Sequence, residues 1–561
     1  MQKTIQTVTK DYGEAENKLF NFRPVFFVAV FLCLGIVFMY GARCYGLSSW
    51  WLLLWLPFIG VAVCFSRTKK RLIGTCAALV AFASAFASGA FLFERQVADF
   101  AEMRAYYGET VVAGRVIGKE RANAATRVYL TDLNVDGNRA EGQLVAYLPR
   151  RYYTELALSD TLLLTGEIDT DVALCGEYGF RAGEIREKAA YRMTEVESCE
   201  ITGEKFDLFL RMRQRAERVI VAGMDETPAA VTLAVLFGQT SGIDRNLLTN
   251  IRYGGIAHIF AVSGLHVGAL FGFCLLLMHK TRLRKTPKPV RFLLVCGLLL
   301  FYAGICGFSA SVLRATVICL TGYFAALLRT KTDFLQALGA AAIFILLIDP
   351  VALLEVGFQL SFLSCLGIAL LSRPLRLGMD AVCAKIVARF PKRLSEEERE
   401  ALENGDTLPP SIPERIRKIA VNFLAVSLAA QIFTAPVCLR TFGYFSAMAL
   451  LLNVIFVPLI SGIFAVLLSA VTVACALPVA FSGVLLYVFN TLLSFVLLLF
   501  EAMDFSKFAL TGLKISVGGC ITYYGCCVFC TDKWNLSKRW KFAFATLFAV
   551  AFALTVIAGK M

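Results

Sequence analysis

Apolar runs of bilayer-spanning length recur along this 561-residue chain, and they constrain its fold more tightly than any other feature. Lipid offers no water to backbone N–H and C=O groups, so each run must satisfy its own hydrogen bonds as a helix. The first run, residues 24–40, follows a polar lead with charges of both signs and reads as a span rather than a cleaved leader. Others cover residues 72–92, 419–439, 445–477, 480–502 and 510–530. Composition agrees, with 58% hydrophobic and only 17% charged residues, where a soluble domain holds about half and a quarter. The expected fold class is a polytopic α-helical membrane protein of about 11–14 transmembrane or half-spanning helices. Most of the 18 cysteines, among them Cys64, Cys76, Cys296, Cys319 and Cys475, lie in these runs and behave as small hydrophobes. Cys526, Cys527 and Cys530 do too, with no histidine nearby to complete a metal site.

The net charge of +14 is unevenly placed, and lysine and arginine collect on cytoplasmic loops. Arg67, Lys69, Lys70 and Arg71 follow the second run and put that loop, and with it the amino terminus, inside. The basic stretch from Lys280 to Arg291 and the loops 329–331 and 372–418 also fall inside. By parity, the long polar segment after residue 92 is extracytoplasmic. Within it, residues 110–118, 127–134, 142–148, 161–168 and 189–196 alternate in the manner of short strands. Five such strands predict an inserted small β-barrel of OB-like type over residues 103–203. OB-folds often bind single-stranded nucleic acid, but residues 107–200 hold 16 acidic and 11 basic residues, so the segment as a whole is not a basic footprint. Tyr129, Tyr147, Tyr152 and Tyr153 suit core or rim packing as well as base stacking. Cys175 and Cys199 share this oxidising side and could form a disulfide.

Residues 204–226 read as an amphipathic helix, with Arg211, Arg213, Arg215 and Arg218 opposed to Phe206, Leu208, Leu210, Val219 and Val221. Such a helix ordinarily lies in the membrane interface. The organisation is then N-terminal transmembrane helices over 1–102, the barrel over 103–203, the interfacial helix over 204–226 and a polytopic domain over 227–561.

Polar residues inside an apolar domain are costly, and they mark bundle interiors or watery paths. Residues 258–268, HIFAVSGLHVG, hold two of the three histidines, His258 and His266, with Ser263, Gly264 and Gly268. Unwound backbone is expected near Gly264, since non-helical chain at membrane depth survives only against protein or water. Gln239, Ser311, Arg314, Asp349, Gln359, Ser361, Gln431 and Asn453 are scattered through the same domain. Arg314, which costs at least about 2.5 kcal/mol to insert, requires a carbonyl, a carboxylate or a lumen beside it. Pro436 and Pro458 are expected to break their helices. Two spans over 445–477 would leave Lys533, Lys538, Arg539 and Lys541 outside, against the charge rule. A single crossing, in which residues 447–457 form a half-helix stopping at Pro458 and carrying Asn453, removes that conflict.

The segment GGIAHIFAVSGLHVG, residues 254–268, resembles the signature of the ComEC family of competence proteins. Further matches follow in order: Leu236, Gly238 and Gln239; SVLRA at 311–315; Asp349 and Pro350 leading to GFQLSF at 357–362; Gln431 with Pro436; LLN at 451–453 with Pro458. The resemblance implies a channel that carries single-stranded DNA across the cytoplasmic (inner) membrane. Its polar path would be lined by His258, Ser263, Gly264, His266, Gln239, Ser311, Arg314, Gln359, Ser361, Gln431 and Asn453. Two departures stand out. Ala310 occupies a position usually held by Pro, and the metallo-β-lactamase-like domain of many members has no counterpart, for no HxHxDH run occurs. Nor does a GxxxxGK[ST] loop. The implied partners, besides single-stranded DNA and membrane lipid, are a separate DNA receptor, a cytosolic ATP-driven motor and a separate nuclease, with no cofactor or metal. The alternative is an intramembrane hydrolase using Ser263 with His258 or His266, and it lacks a carboxylate to orient the base.

Overall fold

The computed structural model describes residues 23–44, 69–103, 106–121, 125–169, 185, 188–204, 206–260, 262–328, 333–387, 412–446, 448–511, 515–529 and 546. Among these, seven helices are long and apolar enough to cross a membrane, and four shorter apolar helices accompany them. The N-terminal pair is α1 (Pro24–Cys44) and α2 (Lys69–Glu102). Helix α1 is anchored by Arg23, whose buried guanidinium pairs with Asp333 at 2.6 Å.

The barrel follows α2. Its strands are β1 (Gly108–Arg121), β2 (Ala125–Val135), the two-residue β3 (Asn138–Arg139), β4 (Leu144–Pro149), β5 (Asp160–Asp169) and β6 (Tyr191–Glu204), with a short helix α3 (Tyr152–Glu155) between β4 and β5. The order β1-β5-β6-β4-β2 closes through β1–β2 pairing, and only β4–β6 is parallel. Closure pairs the edges that an open sheet would expose. Alternation places Val128, Leu130, Leu144, Ala146, Leu148, Leu162 and Leu164 inside, so the expected small barrel is present with its five principal strands where the alternation predicts them. Tyr191 closes its base by donating to the Met103 carbonyl. Cys199 is half-buried on β6, whereas Cys175 lies outside the described residues, as do Cys530, Lys533, Lys538, Arg539 and Lys541.

Helix α4 (Leu208–Gly223) starts from an Asp207 cap and is tied to the barrel by Arg115, which pairs with Asp207 (2.9 Å) and Asp132 (3.3 Å). It packs Ala216, Val219 and Ile220 onto the helical body, and Arg215 donates to the Leu477 carbonyl at 2.7 Å. Phe206, Leu208, Met212 and Val221 remain exposed beside this docked face.

The body comprises α5 (Glu226–Phe237), α6 (Arg245–Tyr253), α7 (Gly264–Lys280), α8 (Lys288–Ile305), α9 (Ala310–Leu327), α10 (Phe334–Ile348), α11 (Val356–Val387), α12 (Ile412–Phe442), α13 (Ala449–Ala476), α14 (Ser482–Ala502) and α15 (Val517–Phe529). A two-stranded ribbon joins β7 (Tyr444–Ser446) to β8 (Ala509–Thr511). The Asp349-Pro350 turn is structural: Gln96 on α2 donates to Asp349 Oδ1 (2.8 Å) and accepts from Val351 N–H (3.0 Å), clasping the turn with both ends of its amide.

Two expectations fail. Helix α12 runs through Pro436 and α13 through Pro458 without a break. Proline removes the N–H that the carbonyl four residues earlier would accept. For Pro436 that carbonyl is Ile432, which instead accepts from Tyr523 Oη (3.0 Å), while Tyr524 Oη serves the neighbouring Phe433 carbonyl (2.7 Å). In α13 the carbonyl so freed is that of Val454, and Ser461 Oγ bonds a different one, that of Val457, at 2.6 Å. Residues 449–476 therefore form one helix, about 40 Å long by its rise per residue, and Asn453 lies on this continuous helix instead of on a half-helix.

Candidate functional site

The HIFAVSGLHVG segment is the unwound link between α6 and α7. Gly254 ends α6, Gly255 turns back at φ +74°, and residues Ala257–Ile259 make one 3-10 turn. A positive φ suits glycine, and space requires it as well: a Cβ on Gly255 would sit 2.4 Å from Ala449 Cβ and 2.9 Å from Ser446 Cβ. The turn is thus seated on β7 and the first turn of α13. His258, on the 3-10 turn, is exposed.

Ser263 is extended and caps α7, its Oγ accepting from Leu265 N–H at 3.3 Å. His266, in the first turn, reaches back so that Nδ1 accepts the Ser263 N–H (3.1 Å) and lies 3.3 Å from Ser263 Oγ. This reciprocal pair is a capping box that uses histidine in place of the usual Glu or Gln. With Nδ1 accepting, a neutral ring carries its proton on Nε2. Nε2 is buried and has no partner among the described residues. His266 itself is 0% exposed, its ring centroid 4.7 Å from that of Phe464. Seventeen residues give α7 a length of about 25 Å, short of a full span of about 30 Å.

Arg314, on α9, is 4% exposed. Its guanidinium stands 5.6 Å from the Phe362 ring centre on α11, and the Nη2 end abuts Gly264, where a Cβ would come within 2.8 Å. No carboxylate pairs with it among the described residues, and Nε and Nη1 have no hydrogen-bond acceptor. The sequence expectation of a carbonyl or carboxylate neighbour is therefore unmet. One turn earlier, Ser311 Oγ lies 3.3 Å from Ser361 Oγ, next to Phe362. Ser263, Gly264, His266, Ser311, Arg314 and Ser361 thus gather where α7, α9 and α11 meet.

The other anticipated residues fall elsewhere. Gln431 Nε2 and Asn453 Nδ2 converge on Ser427 Oγ at 3.1 and 3.3 Å, a second polar knot between α12 and α13. Ser427 carried no sequence signal of its own, although it stands four residues before Gln431 on the same helix face. Gln359 bonds the local Leu353 carbonyl at 3.1 Å. With its amide oxygen turned to the guanidinium, Gln239 accepts from Arg213 Nη2 (2.9 Å) and Nε (3.3 Å), which attaches it to α4. Arg213 went unnoticed as a partner because its charge reads as part of a solvated helix face. Among the described residues, no group of three His, Cys, Asp or Glu side chains is placed to hold a metal ion.

Comparison with known proteins adds a name to these motifs. The sequence profile of the competence protein family matches residues 235–534. The chain is 24% identical over 297 residues to ComE operon protein 3 of Bacillus subtilis (strain 168), covering 53% of this chain and 31% of that protein. It is 28% identical over 183 residues to recombination protein 2 of Haemophilus influenzae, covering 31% and 21%. Against competence protein ComA of Neisseria gonorrhoeae the identity is 33% over 134 residues, covering 23% and 19%. The matched stretch thus spans less than a third of each curated relative. No solved structure matches the chain significantly.

Proposed function

The chain belongs to the competence protein family, and from that premise we propose that it forms a channel passing single-stranded DNA across the cytoplasmic membrane during natural transformation. Its multi-pass membrane character follows from the apolar helices. The amino terminus lies in the cytoplasm, the barrel is extracytoplasmic where an incoming strand meets it first, and the exposed apolar side of α4 rests in the membrane interface. A DNA receptor, an ATP-driven motor and a nuclease act as separate proteins.

One observation carries this reading. Within an apolar helical body, the segment that identifies the family is unwound, bares His258 and abuts a buried guanidinium that lacks a counter-charge among the described residues. A polyanion passing through lipid requires such a lumen, with cationic and hydrogen-bonding groups that hold phosphates weakly enough to release them. The same geometry favours a channel over an intramembrane hydrolase. The Ser263–His266 contact is taken up by helix capping, and among the described residues no carboxylate orients His266 through Nε2.

The decisive experiment is uptake of labelled DNA by a deletion strain of a transformable host complemented with this chain. Restored transformation supports the channel. Normal uptake by the uncomplemented deletion strain, or no recovery despite normal membrane levels, overturns it.

A further inference from the structure

Arg314 poses an electrostatic problem that none of the described residues solves. A guanidinium removed from water ordinarily gains a carboxylate, and without one its burial is strongly unfavourable. Here it is 4% exposed, with two of its nitrogens lacking acceptors among the described residues. Its Nη2 end also abuts Gly264, the first residue of the 17-residue helix α7. Helix N-termini carry partial positive charge, so the dipole adds to the guanidinium's charge instead of offsetting it. The first turn of α7 also holds His266, whose Nε2 is buried with no hydrogen-bond partner among the described residues. Unpaired guanidinium donors beside a helix N-terminus suit an anion, and phosphate oxygens in particular.

We propose that Arg314 and the N-terminal turn of α7 form a phosphate station that holds one phosphodiester group of the translocating strand at a time. This rests on the channel reading above and specifies the chemistry of its path. Arg314 offers unpaired N–H groups at Nε and Nη1, which lie on different edges of the guanidinium, and each can donate one charge-assisted bond to a phosphate oxygen. The Phe362 ring fixes the plane of the guanidinium, and Gly264, lacking a Cβ, leaves it room against the helix end. Ser311 and Ser361, on the same two helices as Arg314 and Phe362, add hydroxyls near the passing backbone. The station reads charge and not sequence, as a conduit for any strand must. A lipid headgroup offers the same phosphate chemistry but lies at the bilayer surface, whereas Arg314 is enclosed by α7, α9 and α11.

The test uses the purified full chain in phospholipid-free detergent and a thymidine dinucleotide with a single phosphodiester. Its methylphosphonate analogue, which is uncharged, is the control. The dinucleotide should raise the unfolding temperature of the wild type, and the analogue should not. Arg314→Gln should weaken the apparent affinity about 10- to 100-fold, the usual range for a lost charge-assisted bond, while Arg314→Lys should retain a reduced response. Should Arg314→Gln fail to fold, Gly264→Ala keeps the charge but displaces the guanidinium, and it must also weaken the response. Equal responses to dinucleotide and analogue, or wild-type responses from Arg314→Gln or Gly264→Ala, overturn the station. A response to added phosphatidylglycerol but not to the dinucleotide identifies a headgroup site and overturns the assignment to DNA. Labelled-DNA uptake measured in parallel separates the two claims: intact dinucleotide binding without uptake refutes the channel and leaves the station standing.

Discussion

Gly254 and Gly255 are adjacent and identical, yet the structure assigns them opposite tolerances. Gly255 holds φ +74°, which costs an L-residue about 1–2 kcal/mol. An alanine Cβ there would lie 2.4 Å from Ala449 Cβ, well inside the 3.5–4.0 Å of an ordinary carbon contact. Relieving that overlap means lifting the turn off α13, at about 1–3 kcal/mol by analogy with overpacked cores. Gly255→Ala is therefore expected to destabilise by about 2–5 kcal/mol in all. Gly254 sits at φ −65°, and its added Cβ would meet Leu452 Cδ1, the end of a flexible side chain, at 3.3 Å and the Ile251 and Asn250 carbonyl oxygens at ordinary contact distances of 3.4 and 3.5 Å. Gly254→Ala should stay within about 1 kcal/mol of the wild type. Ala449→Gly in the Gly255→Ala background should recover part of the steric share, because the 2.9 Å contact with Ser446 Cβ remains, and should leave the backbone share, apart from roughly 0.5–1 kcal/mol for a new helical glycine. Thermal unfolding of purified protein in detergent ranks the four proteins. If Gly255→Ala unfolds with the wild type, or Gly254→Ala is equally damaging, the turn is not seated as described.

Three further outcomes are expected. Ser263→Ala removes the hydroxyl that caps α7, at a cost of about 1 kcal/mol, and should leave partial DNA uptake; complete loss with normal membrane levels would point to a nucleophile instead. Gln96→Leu breaks both bonds to the Asp349 turn, which should cost about 1–3 kcal/mol and expose the base of α2 to limited proteolysis; an unchanged digestion pattern would contradict the clasp. At Asp207, burial pushes the carboxyl up, but the Leu210 N–H bond and the Arg115 guanidinium outweigh it and hold the group below its usual range. Its stabilising effect on the barrel–α4 junction is complete above the ordinary carboxylate range and is lost as pH falls below about 4. Hydrogen exchange at the junction should show that loss, and Asp207→Asn should flatten it.

The apolar runs and the alternating strands were legible because each reports a local period, so the helical body and the closed barrel could be read directly. The signature was legible because polar residues in an apolar run carry a large penalty. What escaped was long-range. Pro436 looks like a helix breaker until two tyrosines about ninety residues later serve the carbonyls around the gap. Asp349 looks like a path residue until Gln96, from the first helical pair, takes it up. Arg314 was expected to find a partner; its actual surroundings, a ring and a glycine, are set by three helices whose register no local pattern encodes.

The seat of the signature turn also sets a timetable for synthesis. The ribosome makes Gly255 early, but Ser446 and Ala449, on which it rests, emerge almost two hundred residues later. Asn250 waits longer still, since its side chain bonds the carbonyls of Phe500 (2.8 Å) and Met503 (2.6 Å) and the amide of Phe505 (2.9 Å). The barrel, whose strands pair only with one another, can close while the rest of the chain is still being translated. The turn cannot, so a nascent chain released before residue 505 would carry a finished barrel above an unlatched signature, and a membrane protease could tell it from the complete protein by that loose turn alone.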